Sequence, residues 1–182
     1  MKIVISYIGI GLLSLFANNL FSQTTLDYKN RIHPEISDEF MVVSQNHHAT
    51  KIGYEILEQG GNAVDAAVAM GFALAVTLPR AGNLGGGGFM LIYDAKTNKI
   101  ASIDYRSAAP KSATSQMYLT DTGVVRFGHL VNAVPGTVAG LIKAHRDHGS
   151  LELNQVMRPS IKLAQNGIKV SHDLNFVLNF GK

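Results

Sequence analysis

Cysteine is absent from this 182-residue sequence. That excludes a disulfide scaffold, a thiolate zinc or iron–sulfur site, a thiol nucleophile and a lipid-modified cysteine. Charge is sparse as well: 16 Lys plus Arg stand against 13 Asp plus Glu, a formal charge of +3. The cations are scattered, with no basic block and no aromatics interleaved among them, so no nucleic-acid footprint is expected despite a sequence pI near 9.2. Several chemical signatures are missing too. There is no Gly-x-Ser-x-Gly, no His-Glu-x-x-His and no Gly-Lys-Ser/Thr after a glycine run, and the carboxylates form no pair assignable to glycoside hydrolysis. What is present is apolar. With 46% hydrophobic residues the chain can build the core of one domain, which excludes a wholly disordered protein.

Residues 1–22 read as a separate object. Lys2 precedes an apolar run from Ile3 to Phe16, followed by Asn18, Asn19 and Ser22. This is the layout of a secretory signal, with cleavage after Ala17 or after Ser22. The run falls short of the roughly 20 apolar residues a membrane span needs. The mature protein is therefore expected to be exported, periplasmic or secreted, and free of the membrane once the signal is removed. Residues 23–40 form a polar lead-in, and residues 41–182 the domain itself.

Spacing then predicts the elements. Phe40–Ser44 has the size and β-branching of a buried strand. A helix follows from Ala49, with Ile52 and Ile56 inward, and Gly60-Gly61 stops it. Asn62, with Asp65 three residues on, is placed to cap a second helix over Ala63–Thr77. That helix is apolar nearly all round, as a central buried helix would be. Two strands, 89–93 and 100–106, flank a turn at Asp94–Lys99. Irregular chain from Pro110 gives way, after Pro135-Gly136, to a helix ending at His148 before Gly149. Another helix is expected over Leu153–Gln165 with Val156, Ile161 and Ala164 inward, then a last one capped by Ser171. The chain ends at Lys182 within an apolar pattern (Leu174, Phe176, Val177, Leu178, Phe180), which predicts further polypeptide to cover it.

Three sets of residues are candidates for chemistry. Gly85–Gly88 sit in the order helix, glycines, strand, with Met90 where a dinucleotide fingerprint needs glycine. They are read instead as a place where backbone passes close to backbone before a buried strand. His145 and His148 share a helix face without a third metal ligand, and are read as a solvated pair at a helix end. Arg106 ends a strand on whose one face Ser102, Asp104 and Arg106 alternate with Ala101, Ile103 and Tyr105. Its guanidinium either pairs with Asp104 or grips a substrate carboxylate through two parallel hydrogen bonds.

Taken in order, Gly60–Ala69 (GGNAVDAAVA), Gly82–Met90 (GNLGGGGFM), Ile103–Arg106 with Ala109-Pro110, and Val134–Gly140 (VPGTVAG) closely resemble the amino-terminal part of γ-glutamyltransferases, or glutathione hydrolases. The similarity runs from about His33 to the end. It implies an α/β (α+β) amino-terminal-nucleophile hydrolase fold, a four-layer αββα sandwich only partly present here. It also implies an exported precursor that cuts itself into a large and a small subunit, with no metal and no cofactor. Its partners would be glutathione and other γ-glutamyl compounds, together with the remainder of the large subunit and the small subunit. The nucleophile implied is a threonine at the start of the small subunit, in a Thr-x-His-like context. Thr24-Thr25 precede the matched region and are followed by Leu26, so they do not qualify, and the oxyanion glycine pair is also missing. The chain is thus expected to hold no catalytic residue and to be inactive alone. Arg106 is the matching residue, implied to hold the α-carboxylate of the γ-glutamyl group; Asp104, on the same strand face, is left free to orient it. The alternative is a non-catalytic exported module that binds glutamyl-like ligands.

Overall fold

Two asparagines start the helical core. Asn46 accepts the His48 N–H on its side-chain oxygen at 2.9 Å and opens α1, His47–Glu58. Asn62 accepts the N–H groups of Val64 and Asp65 at 2.8 and 3.0 Å, while Asp65 accepts the Asn62 N–H at 2.9 Å. This reciprocal capping box opens α2, Ala63–Thr77, with the bounds its sequence predicts. The computed structural model describes residues 34–120, 123–124 and 128–179. The signal-like segment 1–22 lies outside the described residues. By its contacts the chain divides into Met1–Asp38 and Glu39–Lys182, and the architecture that follows is that of the second unit.

After α2 come β1, Phe89–Asp94, and β2, Lys99–Asp104, paired antiparallel from Phe89↔Asp104 to Asp94↔Lys99. Their turn is tied by Asp94, which accepts the Lys96 N–H at 3.0 Å and the Thr97 hydroxyl at 2.7 Å. Short 3-10 turns and a two-residue ladder, β3 (Leu119–Thr120) with β4 (Gly123–Val124), lead to α3, Thr137–His148. Then follow α4, Leu153–Asn166, and α5, His172–Asn179.

α2 is central: α1, α3 and α4 all pack on it, and Val64, Ala66, Val68, Ala69, Phe72 and Ala73 are buried. Ile52 and Ile56 of α1, Leu141 and Ala144 of α3, Val156 of α4 and Ile103 of β2 complete the core. Its small side chains bring the neighbouring helices close. The Ser160 hydroxyl of α4 reaches the Ala69 carbonyl at 3.2 Å, and Gly71 leaves the space that Leu141 fills.

The single charge inside α2 locks this layer. Asp65 is 0% exposed, yet four donor groups reach its carboxylate. Besides Asn62 it accepts the Ser150 hydroxyl at 2.6 Å and the backbone N–H groups of Ser150 and Leu151 at 3.1 and 3.3 Å. Burial pushes the carboxyl's pKa up, but the Ser150 hydroxyl and the three backbone donors outweigh it and hold the pKa below its usual 3.8. The α3–α4 connection is thereby tied to the start of α2.

Four expectations need correction. Phe40–Ser44 forms no strand. It keeps the alternation of one, with Val42 packed on the core and Val43 exposed, but among the described residues no strand lies beside it to complete a ladder. On α4 the inward residues are Val156, Met157, Ser160 and Leu163, whereas Ile161 is 45% exposed and Ala164 is exposed too. β1 is not a buried strand: Met90 and Ile92 turn to the core, but Phe89 and Leu91 are 70% and 75% exposed. A two-stranded hairpin has two faces, and the helices cover only one of them. His145 is no solvated residue, being 12% exposed with Nε2 at 2.8 Å from the Leu151 carbonyl and 3.6 Å from Asp65 Oδ1.

Removing the Asp65 carboxylate leaves four donor groups unpaired. Asp65→Ala is therefore expected to destabilise the fold by about 3 kcal/mol at neutral pH. Because the native pKa is depressed, that contribution is complete above 3.8 and fades as pH falls through the lower native value. Denaturant midpoints should show the gap between wild type and variant shrinking at about pH 3; an equal gap at both pH values would contradict this role.

Candidate functional site

Beyond Asp104 the chain leaves the hairpin and runs between the glycine loop and the start of α3. Tyr105 still pairs with Gly88: the Gly88 N–H donates to the Tyr105 carbonyl at 3.2 Å and the Tyr105 N–H to the Gly88 carbonyl at 3.0 Å. On the other side the Gly86 carbonyl accepts the N–H groups of Gly136 and Thr137 at 2.8 and 3.1 Å. Two further bonds join Ala108 and Val134, at 3.1 and 2.8 Å. Residues 105–108 are thus held by backbone bonds at both ends, by Gly88 at Tyr105 and by Val134 at Ala108.

Two glycines make this enclosure possible. A Cβ on Gly136 would overlap the Tyr105 carbonyl oxygen, and one on Gly87 would overlap the Ser107 nitrogen and approach the Tyr105 oxygen to 2.6 Å. Reading the glycine run as a close-approach device is what the structure shows. At the start of α3 the N–H groups of Gly136 and Thr137 are already spent on the Gly86 carbonyl. The Tyr105 ring packs beside Gly140 of α3, and burial raises its phenol pKa, keeping it neutral.

Arg106 emerges from this frame exposed, on the same face as Ser102 and Asp104, with Ile103 buried and Ala101 and Tyr105 half-buried behind. Among the described residues its guanidinium makes no ion pair. The alternative in which Asp104 neutralises the guanidinium is therefore not what the structure contains. Asp104 instead accepts the Arg106 backbone N–H at 2.8 Å. A rigid backbone carrying an unpaired planar fork is suited to gripping a carboxylate bidentately.

The concave features are modest. A cavity of about 130 Å³ adjoins the frame, lined by Asn83, Gly87, Tyr105, Thr137 and Leu141 among others. Larger clefts of about 410 and 400 Å³ lie between α1 and α4 and beside the start of α5. Arg106 lines none of these three. No group of three His, Asp or Glu among them could hold a metal ion. Sequence reasoning placed Arg106 on its face but missed the Asp104–Arg106 backbone bond and the part played by Gly136. The signals were there, as an Asp two residues before the arginine and a Pro-Gly before a helix.

Residues 49–181 match the family model described as gamma-glutamyltranspeptidase. The chain is 48% identical over 147 residues to the glutathione hydrolase proenzyme of Escherichia coli (strain K12), covering 78% of this chain and 25% of that protein. Among solved structures it is similar to the Helicobacter pylori gamma-glutamyltranspeptidase, with a TM-score of 0.75, 42% identity and coverage of 80% of this chain and 43% of that one. The Pseudomonas nitroreducens gamma-glutamyltranspeptidase complexed with L-DON gives a TM-score of 0.72 and 44% identity over 78% and 43% of the two chains. The helical layer and hairpin are accordingly part of an amino-terminal-nucleophile hydrolase fold. The chain spans about a quarter of the length of the curated relatives it matches.

The frame predicts a graded response along the glycine run. Gly87→Ala and Gly136→Ala should each destabilise by about 2–3 kcal/mol, because backbone would have to move. Gly85→Ala, where only the Asn83 side chain comes within 3.4 Å, should stay within about 0.5 kcal/mol of wild type. Denaturant unfolding of the three variants checks this, and equal stability across them would contradict the frame.

Proposed function

The chain belongs to the γ-glutamyltranspeptidase family, and from that premise we propose that it forms the amino-terminal portion of the large subunit of a glutathione hydrolase. The reaction is cleavage of the γ-glutamyl bond and transfer of the γ-glutamyl group to water, an amino acid or a peptide. In this reading Arg106 is the α-carboxylate clamp. The observation that carries it is an exposed guanidinium, free of any ion pair among the described residues, on a backbone held at both ends.

The clamp's work is positional. Two parallel N–H···O bonds fix the α-carboxylate in the plane of the guanidinium and so set where the γ-carbonyl carbon lies. The attacking hydroxyl is that of a threonine supplied by the remainder of the enzyme, whose own α-amino group serves as base. It adds to the γ-carbonyl, the amine departs, and water or an acceptor amine then releases the γ-glutamyl group from the threonine ester. None of these bond changes falls to this chain. The uncovered hairpin face of Phe89, Leu91 and Tyr93 supports that division, since it offers a surface for the sandwich's second sheet. The proposal includes export to the periplasm or the medium, supported by the signal-like start Lys2 to Ser22.

In the full-length enzyme carrying this segment, Arg106→Lys is expected to raise KM for a chromogenic γ-glutamyl anilide about tenfold or more, because a point ammonium cannot replace the fork. An unchanged KM would contradict the assignment. The 182-residue chain alone should not turn over the same substrate. Calorimetry of that chain with glutamate separates the second reading: tight, Arg106-dependent binding would favour a non-catalytic glutamyl-binding module.

A further inference from the structure

The geometry points to Asp104 as a positioning residue for the clamp, acting through the peptide plane that joins Tyr105 to Arg106 and not through charge on the guanidinium. This rests on the clamp reading of Arg106 given above.

In an antiparallel ladder, successive residues alternate between bonding the partner strand and pointing away from it. Tyr105 exchanges both of its backbone bonds with Gly88, so the Arg106 N–H points to the other edge of β2, where no strand among the described residues receives it. The Asp104 Oδ1 takes that N–H at 2.8 Å, a side-chain-to-backbone bond across two residues. The carbonyl of the same peptide plane, that of Tyr105, accepts the Gly88 N–H at 3.2 Å. The plane is therefore fixed at both ends, by Gly88 on one side and Asp104 on the other. A planar, rigid unit so held fixes the N–Cα axis of Arg106 and leaves φ as the one backbone rotation between that plane and the Cα–Cβ bond. The glycine frame determines where this backbone lies, and Asp104 determines how it is rotated.

The same bond explains how a carboxylate two residues away, on the same face, leaves the guanidinium available. One Asp104 oxygen is turned along the strand edge onto the backbone, and no ion pair forms between the two side chains. What the position needs is an oxygen acceptor at the right reach. An amide oxygen meets that need as well as a carboxylate does.

The test is steady-state kinetics of the full-length enzyme with a γ-glutamyl anilide, comparing wild type, Asp104→Ala, Asp104→Asn and Arg106→Ala. Asp104→Ala is expected to raise KM about tenfold with kcat within about twofold, while Asp104→Asn keeps KM within about twofold of wild type. If Asp104→Asn is as impaired as Asp104→Ala, charge and not the acceptor matters, and the inference falls. If Asp104→Ala leaves KM unchanged while Arg106→Ala raises it, the inference falls and the clamp stands. If Arg106→Ala itself leaves KM unchanged, the clamp reading falls first. Should Asp104→Ala not fold, Asp104→Ser takes its place, since a hydroxyl makes the same turn more weakly. An intermediate rise in KM is then expected, and a KM equal to that of wild type would overturn the inference.

Discussion

The structure depends on backbone meeting backbone at Tyr105 and Arg106 without a side chain between. Antiparallel bonds from Gly88 hold this segment, the Gly86 carbonyl ties the start of α3 to the glycine loop, and Gly136 there lies against the Tyr105 carbonyl. This close approach does not survive a Cβ at Gly87 or Gly136. The hairpin, the glycine loop and α3 meet at one place, which is also where the exposed arginine leaves the strand. The proposed clamp needs that rigidity: a guanidinium can select a carboxylate through two parallel bonds only if its backbone does not drift.

Two carboxylates show how one functional group serves opposite ends. Asp65 is buried and takes four donors, which hold its pKa down against the upward push of burial. It ties α2 to the α3–α4 connection, with His145 packed against it. Asp104 is exposed and spends one oxygen on a single N–H. Losing the first would cost stability, whereas losing the second would cost direction.

Local signals were legible in the sequence wherever local physics decides the outcome. Asn62 and Asp65 announced the start of α2, and Gly149 and Gly167 stand at the C-caps of α3 and α4. The alternation around Ile103 put Arg106 on the correct face. What failed depended on partners far along the chain. Phe40–Ser44 carries the pattern of a strand but has no neighbouring strand among the described residues. Ile161 looked inward by type, yet the short distance between α4 and α2 admits Ser160 and turns Ile161 out. His145 looked like a surface residue until its carboxylate partner, eighty positions earlier, was folded against it. The Asp104 bond was local and could have been read, but a charge pair seemed the more obvious use of an aspartate beside an arginine.

The central claim is that Arg106 and the substrate's α-carboxylate recognise each other, and a double cycle tests it most directly. The full-length enzyme and its Arg106→Ala variant would each be assayed on a γ-glutamyl anilide and on the same compound with its α-carboxylate converted to a primary amide. The account predicts strong coupling: either change alone lowers kcat/KM substantially, and the second adds little once the first is made. Losses that simply multiply would show that the guanidinium and the carboxylate do not meet, and would contradict the account.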